Sequence, residues 1–445
     1  MLRKLVVGKL SILCFVGMVF GMMVYAASAA ELPAGTIITK DNLDRIKNDT
    51  FERKTIASLL TDKVEWQIRH WGLQIKLRHS EPFPLDPRFI AATKKYAGTT
   101  KFDPKTRECT GYMAGLPFPD VSMDDPYAAE KLVWNCYYSQ GGTALGYIQR
   151  APHAQVLISD KGLERTQKWF WLRYWMKGRL DRLAKGLSPV EGDGSILTKT
   201  LLFAQYPYDI RGIGVFVIRY DLPKVEDQWA YVKSVRRVRR LSGGAWMDPV
   251  GATDILQDDI GCFNGRPSWY PKFRLLGKRW ILAIAHEPDD WNKAAEGKPE
   301  EFPGIDLRNW PHWNPSPKTR AWEPREVWVV EGTPPPYHPY SKRVMYIETT
   351  VPIVWMAECY DKSGNFWKFV HYHWSPPTRM KPMDGGLLYI PGQGEYIDFK
   401  RRHASVHYIL GGVTGGPSPT NPFQMNNPAI GANDVTTAQL EEASK

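Results

Sequence analysis

Ile353-Val354-Trp355-Met356-Ala357-Glu358-Cys359-Tyr360 and Phe366-Trp367-Lys368-Phe369-Val370-His371-Tyr372-His373 are two apolar runs joined by Asp361-Lys362-Ser363-Gly364-Asn365. Runs rich in β-branched and aromatic residues, bounded by Asp, Ser, Gly and Asn, read as strands with a turn between them. Gly364 supplies the positive φ that such a hairpin turn needs. Working outward, the same signal recurs at residues 215–220, 229–235, 280–285, 327–331 and 344–350. No helical pattern sits regularly between these runs, which disfavours parallel βαβ winding. The fold class is therefore mainly β with helices (α+β), built on antiparallel sheet.

Two helices are expected. Leu60, Val64, Ile68 and Trp71 recur at i, i+4, i+8 and i+11, one face of a helix over 58–70 that Gly72 ends. Beyond it, Leu73, Ile75 and Leu77 alternate with Gln74, Lys76 and Arg78, the period of a half-buried strand. Within 159–187, Trp169, Phe170, Trp171, Tyr174 and Trp175 interleave with Lys168, Arg173 and Lys177. The pairs Trp171/Trp175 and Phe170/Tyr174 stand at i, i+4 and predict a second helix covering the sheet. Residues 287–317 and 333–339, rich in Pro and charge, read as surface loops, and the Gly/Pro/Asn/Ser-rich stretch 411–445 as a flexible tail.

The N-terminus carries Arg3, Lys4 and Lys9, then an apolar run from Leu10 to Tyr25, then small residues to Ala30. That order reads as a secretory signal peptide over 1–30, cleaved after Ala29 or Ala30. The run is short for a bilayer span and contains Gly17 and Gly21. The remaining 31–410 reads as one large domain with inserted loops, exported to the periplasm. Charged residues make up 24% and hydrophobic ones 43%, an ordinary globular balance. Formal charge is +11 and falls to +8 once the three leader cations go, compatible with anionic lipid surfaces or ligands; nucleic acid is not expected outside the cytoplasm. Cys109, Cys136, Cys262 and Cys359 survive processing, and Cys109–Cys136 is the preferred disulfide in an oxidising compartment, although four cysteines allow three pairings.

Catalytic signatures are missing from the sequence: there is no G-x-S-x-G, H-E-x-x-H, Walker loop or C-x-x-C. Arg211-Gly212-Ile213-Gly214 lacks the third glycine of a dinucleotide loop and leads into an apolar strand. His371/His373 share a strand face and His403/His407 would share a helix face, but a metal site needs three or four ligands and no converging acid or thiol is legible, so no metal or cofactor is expected. Asp258-Asp259 and Asp289-Asp290 read as turn residues or partners for nearby arginines. Arg236-Arg237-Val238-Arg239-Arg240 is the strongest charge feature; its arginines would grip an anionic headgroup bidentately or pair with Asp248, Asp254, Asp258 and Asp259.

Several stretches together, in order and spacing, resemble a known family: Ala92-Thr93-Lys94-Lys95-Tyr96, Ala114-Gly115-Leu116-Pro117-Phe118-Pro119, Tyr208-Asp209-Ile210-Arg211-Gly212, the 236–240 arginines, Asp258-Asp259 with Phe263-Asn264-Gly265, and Tyr340-Ser341-Lys342-Arg343. The chain is similar to secreted proteobacterial proteins grouped as domain of unknown function 1329. The resemblance implies a LolA/LolB-like fold, a large curved antiparallel sheet forming an incomplete barrel with helices on its concave side. It also implies links to transporters of the resistance-nodulation-division (RND) class and to outer-membrane proteins, and it brings no catalytic residues. A curved sheet with an apolar concave side suits a lipid-sized ligand. With 18 Trp and 17 Phe in the chain, the expected cavity lining is Trp229, Tyr231, Trp328, Trp355 and Trp367, with Arg237 or Arg240 on a headgroup. The expected role is a non-enzymatic carrier or sensor of a hydrophobic molecule; an adaptor for an RND-type transporter and an envelope hydrolase or metalloenzyme are the alternatives.

Overall fold

The computed structural model describes residues 29–138, 148–241, 244–288, 302, 304–375, 383–387, 389–409 and 424–444. The leader and parts of the 287–317 loop and of the 411–445 stretch lie outside them.

One antiparallel sheet of 14 strands dominates. Its strands are β1 Ile148–Ser159, β2 Gly162–Trp175, β3 Ile196–Tyr206, β4 Gly214–Tyr220, β5 Asp227–Val232, β6 Arg237–Arg240, β7 Lys272–Ala283, β8 Glu323–Thr333, β9 Lys342–Glu348, β10 Val354–Tyr360, β11 Phe366–Ser375, β12 Ile390–Asp398, β13 His403–Ile409 and the short β14 Gln424–Met425. The first six form one meander and the next seven another. The two join where β1 pairs β13, Ile409 opposite His153 and His403 opposite Ser159. β6 and β7 are the free edges, so the sheet curves without closing.

The opening hairpin forms as its composition dictates. Gly364 has φ of 81°, and the Asp361 carboxylate accepts from the backbone N–H of Ser363 and Asn365 at 2.9 and 2.8 Å. The seven strand runs read from sequence fall on β4, β5 and β7–β11, although 229–235 ends in a 3-10 turn at Lys233–Val235 and 280–285 and 344–350 overrun their strands by two residues each.

The first predicted helix is split. Ile56–Leu59 and Asp62–Trp71 are separate helices because Thr61 turns extended and its side chain caps the second by accepting from the Val64 N–H. Gly72, at φ 62°, ends that helix. The predicted alternation beyond it holds, with Leu73, Ile75 and Leu77 buried. The second predicted helix is corrected: residues 162–175 are β2, followed by a helical turn at Leu180–Leu183. Spacing of i, i+4 fits a strand as well as a helix, since both residues fall on one side of a period-2 element. The two flanking strands, β1 and β3, then decide for sheet.

Both sides of the sheet are covered. On the concave side lie helix α1, Ala128–Tyr138, and a covering segment over 246–270. On the other side the early chain meets residues 304–322: the Asn314 amide donates to Trp71 O at 3.0 Å, and Trp322 N–H donates to Lys76 O at 2.8 Å. The stretch read as a flexible tail is built in from residue 424. β14 pairs β1, and helix α2, Thr437–Ala443, buries Leu440 completely. No helix of the described residues is long and apolar enough to cross a membrane.

Candidate functional site

A cavity lies on the concave side, at the seam between the two meanders. Alternation along β1 turns Ala151, His153 and Gln155 into it; β2 adds Trp171 and Arg173, and β11–β13 add Tyr372, Tyr396, His407 and Ile409. Val250, Ile255 and Ile260 of the covering segment form the facing wall. An inner lobe of about 70 Å³ adjoins an outer one of about 230 Å³, and Trp171, Arg173, Leu202, Val250 and Ile260 border both.

The lining is apolar with a few fixed polar groups. The Arg173 guanidinium stacks 4.4 Å over the Trp171 ring, and its Nε donates to Thr200 Oγ1 at 3.2 Å. Trp171 Nε1 and Gln155 Oε1 are buried without a hydrogen-bond partner. Burial pushes the His153 imidazole down to about 4 and His407 down to about 3, because a charged ring is poorly solvated there. Both rings are therefore neutral near pH 7.

The covering segment is pinned by polar contacts. Arg343 on β9 reaches both Asp258 and Asp259, at 3.0 and 2.8 Å, and donates to the carbonyls of Asp258 and Cys262. Tyr372 Oη accepts from Gly261 N–H at 2.8 Å. Asp254 takes His403 Nδ1 at 2.5 Å and the Ser405 hydroxyl at 2.8 Å on one carboxylate oxygen, so serine and histidine share an acceptor and form no nucleophilic relay. The two adjacent aspartates thus serve one buried arginine. Their chain segment is a 3-10 turn and not a strand, which lets neighbouring side chains converge.

The residues expected to line a cavity are scattered. Trp355 is wholly buried and donates to Glu348 at 2.8 Å. Trp367 donates to Asp398 at 3.0 Å, and Trp229 stacks on Phe216. Trp328 borders a different hollow beside α1, and Tyr231 a surface hollow with Arg211, Lys233 and Arg236. Arg237 is exposed on the edge strand, and Arg240 pairs with Asp227 instead of with any of the four aspartates proposed for it. Cys109 and Cys136 stand in this structure as separate buried thiols, as do Cys262 and Cys359.

A second cluster lies on the opposite side of β11 and β12. His371 pairs in register with Glu395, and His371 Nδ1 and His373 Nε2 each lie 3.3 Å from a Glu395 oxygen. Burial alone would raise Glu395, but the two imidazoles outweigh it and hold the acid down at about 2. His371, His373 and Glu395 present ligand atoms all within 4.8 Å of one another. Sequence reading paired the histidines but had no means of naming the acid, which the register of a neighbouring strand supplies.

The profile of a family described as "Protein of unknown function (DUF1329)" matches residues 37–437. No curated protein sequence matches the chain. Among solved structures, similarity is found to a protein described as an outer membrane lipoprotein-sorting protein domain from Vibrio parahaemolyticus (14% identity, 66% of this chain and 91% of that one, TM-score 0.42). A DUF1329 family protein from Desulfovibrio piger (14%, 70% and 95%, 0.42) and a LolA superfamily protein from Nitrosomonas europaea (13%, 65% and 90%, 0.36) are similar too.

Proposed function

The chain belongs to the DUF1329 family, and on that footing we propose that it is a periplasmic carrier or sensor of a lipid-like hydrophobic molecule, which it holds in the seam cavity. The supporting observation is the cavity itself: apolar walls, two unpartnered polar atoms at Trp171 and Gln155, and a guanidinium at Arg173. Pockets of this make-up bind apolar bodies and orient them by a few polar groups.

Native mass spectrometry of protein purified from the periplasm without detergent, followed by organic extraction, tests this. A co-purifying acyl lipid or fatty acid near one per chain is expected, with affinity lost on filling the cavity by Leu202→Trp. A clean mass, together with no quenching of Trp fluorescence by any amphiphile, would overturn the reading.

One observation favours a second reading, an adaptor docking onto an RND-type transporter or an outer-membrane partner. The edge strand β6 displays Arg237, Arg239 and Arg240 beside exposed Tyr208. Salt-sensitive, ligand-independent binding to such a partner would mark that role. The same basic edge is compatible with transient contact at an anionic membrane surface.

A further inference from the structure

We propose that His371, His373 and Glu395 form a binding site for a divalent first-row transition metal ion, enclosed between β11, β12 and the segment 304–322. The inference does not rest on the carrier reading, because the residues that alternate with these, Tyr372 and Tyr396, face the seam cavity on the other side of the sheet.

The backbone builds the triad. His371 and His373 are two residues apart on one strand and so share a face, and antiparallel register sets Glu395 opposite His371. Two imidazoles and one carboxylate are a donor set for zinc, iron and their neighbours. Around a tetrahedral ion with bonds of about 2.0–2.1 Å, ligand atoms stand roughly 3.3–3.5 Å apart. Each histidine already has a nitrogen 3.3 Å from a Glu395 oxygen, and the ligand atoms of the triad all lie within 4.8 Å of one another.

The second observation is unmet bonding. His371, His373 and Glu395 are at most 1% exposed, yet His371 Nε2 and both nitrogens of His373 make no hydrogen bond. Buried polar atoms are ordinarily paired; His371 Nε2 has no hydrogen-bond partner, and the His373 nitrogens meet carboxylates only as ion pairs, 3.3 Å from Glu395 and 3.6 Å from Glu287, so the donor set is short of a centre.

Outer contacts fit as well. Gln393 Nε2 donates to Glu395 Oε1 at 2.8 Å, and Glu287 lies 3.6 Å from His373 Nδ1 while held by Arg320 at 2.9 Å. Partners of this kind orient metal ligands. Trp322 stacks on His371 at 4.7 Å, and Gly304 passes so near that an added Cβ would stand 2.2 Å from Gln393 Oε1. Enclosure on this scale shields the triad from solvent. A proton on His373 between its two carboxylates is the competing occupant, and the measurement separates them.

The full chain, without its leader, is stripped with a chelator, dialysed against micromolar Zn2+ or Co2+ and analysed for bound metal. About one ion per chain, a visible d–d spectrum with Co2+, and zinc-edge X-ray absorption fitting two imidazoles and a carboxylate are expected. Gln393→Ala should weaken the affinity roughly tenfold to a hundredfold, and His373→Gln with Glu395→Gln should abolish uptake, while His407→Gln leaves it intact. Wild-type protein that takes up no metal, with NMR showing His373 protonated, overturns the proposal. Undiminished uptake by the His373→Gln, Glu395→Gln variant overturns it too.

Discussion

Arg343 is 0% exposed and meets two carboxylates that are equally buried. Burial alone would raise the Asp258 carboxyl, but Arg343, with His338 and Tyr270, outweighs it and holds the acid below its usual range. Removing one partner from such a group leaves an uncompensated buried charge, which costs about 3–5 kcal/mol. Arg343→Ala should lose that much in urea unfolding; a variant within 1 kcal/mol of wild type would refute the assignment. A second prediction concerns acid. The imidazoles of His153 and His407 bind protons less readily folded than unfolded, so stability falls as pH drops below the unfolded value of about 6.5. At pH 5 each should cost about 2 kcal/mol. His407→Gln should flatten the decline between pH 7 and 5, a window above the carboxylate range, and an unchanged slope would show the ring to be solvated. What sequence offered at this scale was residue type without facing. Trp355 and Trp367 carry rings that suit a cavity wall, yet Trp171 and His153 line the cavity because they fall on the inward phase of β2 and β1.

Among the elements, hairpin β10–β11 was the most legible, since Asp361 and Gly364 fix the turn locally and need no distant partner. β2 was the least. Its pairs Trp171/Trp175 and Phe170/Tyr174 satisfy helical and extended spacing alike, and only pairing with β1 and β3 settles the choice. Helix α2 was equally unreadable in a stretch of low apolar content, because two residues carry its docking: Val435 and Leu440, both 0% exposed. Leu440 packs where Gly214 leaves room, an added Cβ there standing 2.7 Å from Leu440 Cδ1. Leu440→Ala should therefore destabilise by about 2–5 kcal/mol. If thermal melts move by less than a degree, the helix is not docked in solution.

For the whole molecule, the sheet separates an apolar cavity on the concave side from a polar triad on the other. The segment pinned by Arg343, Tyr372 and Asp254 forms one wall of that cavity. Cys262 sits in that segment and is fully buried, so its labelling by a thiol reagent reports opening. A bound amphiphile should slow that labelling severalfold while leaving Cys359 on β10 unaffected; equal labelling rates with and without amphiphile would argue against a moving cover. Antiparallel architecture was readable from sequence because strand composition and turns are local. Its central seam was not, since nothing near residue 153 announces a partner near 409.

That seam also sets the order of events as the chain folds. Each meander zips from neighbouring strands, but β1 and β13 are joined by roughly 250 residues of intervening chain, so their pairing bears the largest loop-closure cost and comes late. Until then β1 and β13 are themselves bare edges, open to pairing between molecules. The half-folded chain thus carries two bare edges beyond the β6 and β7 edges that the finished sheet keeps, and that is the stage at which a chaperone would be needed.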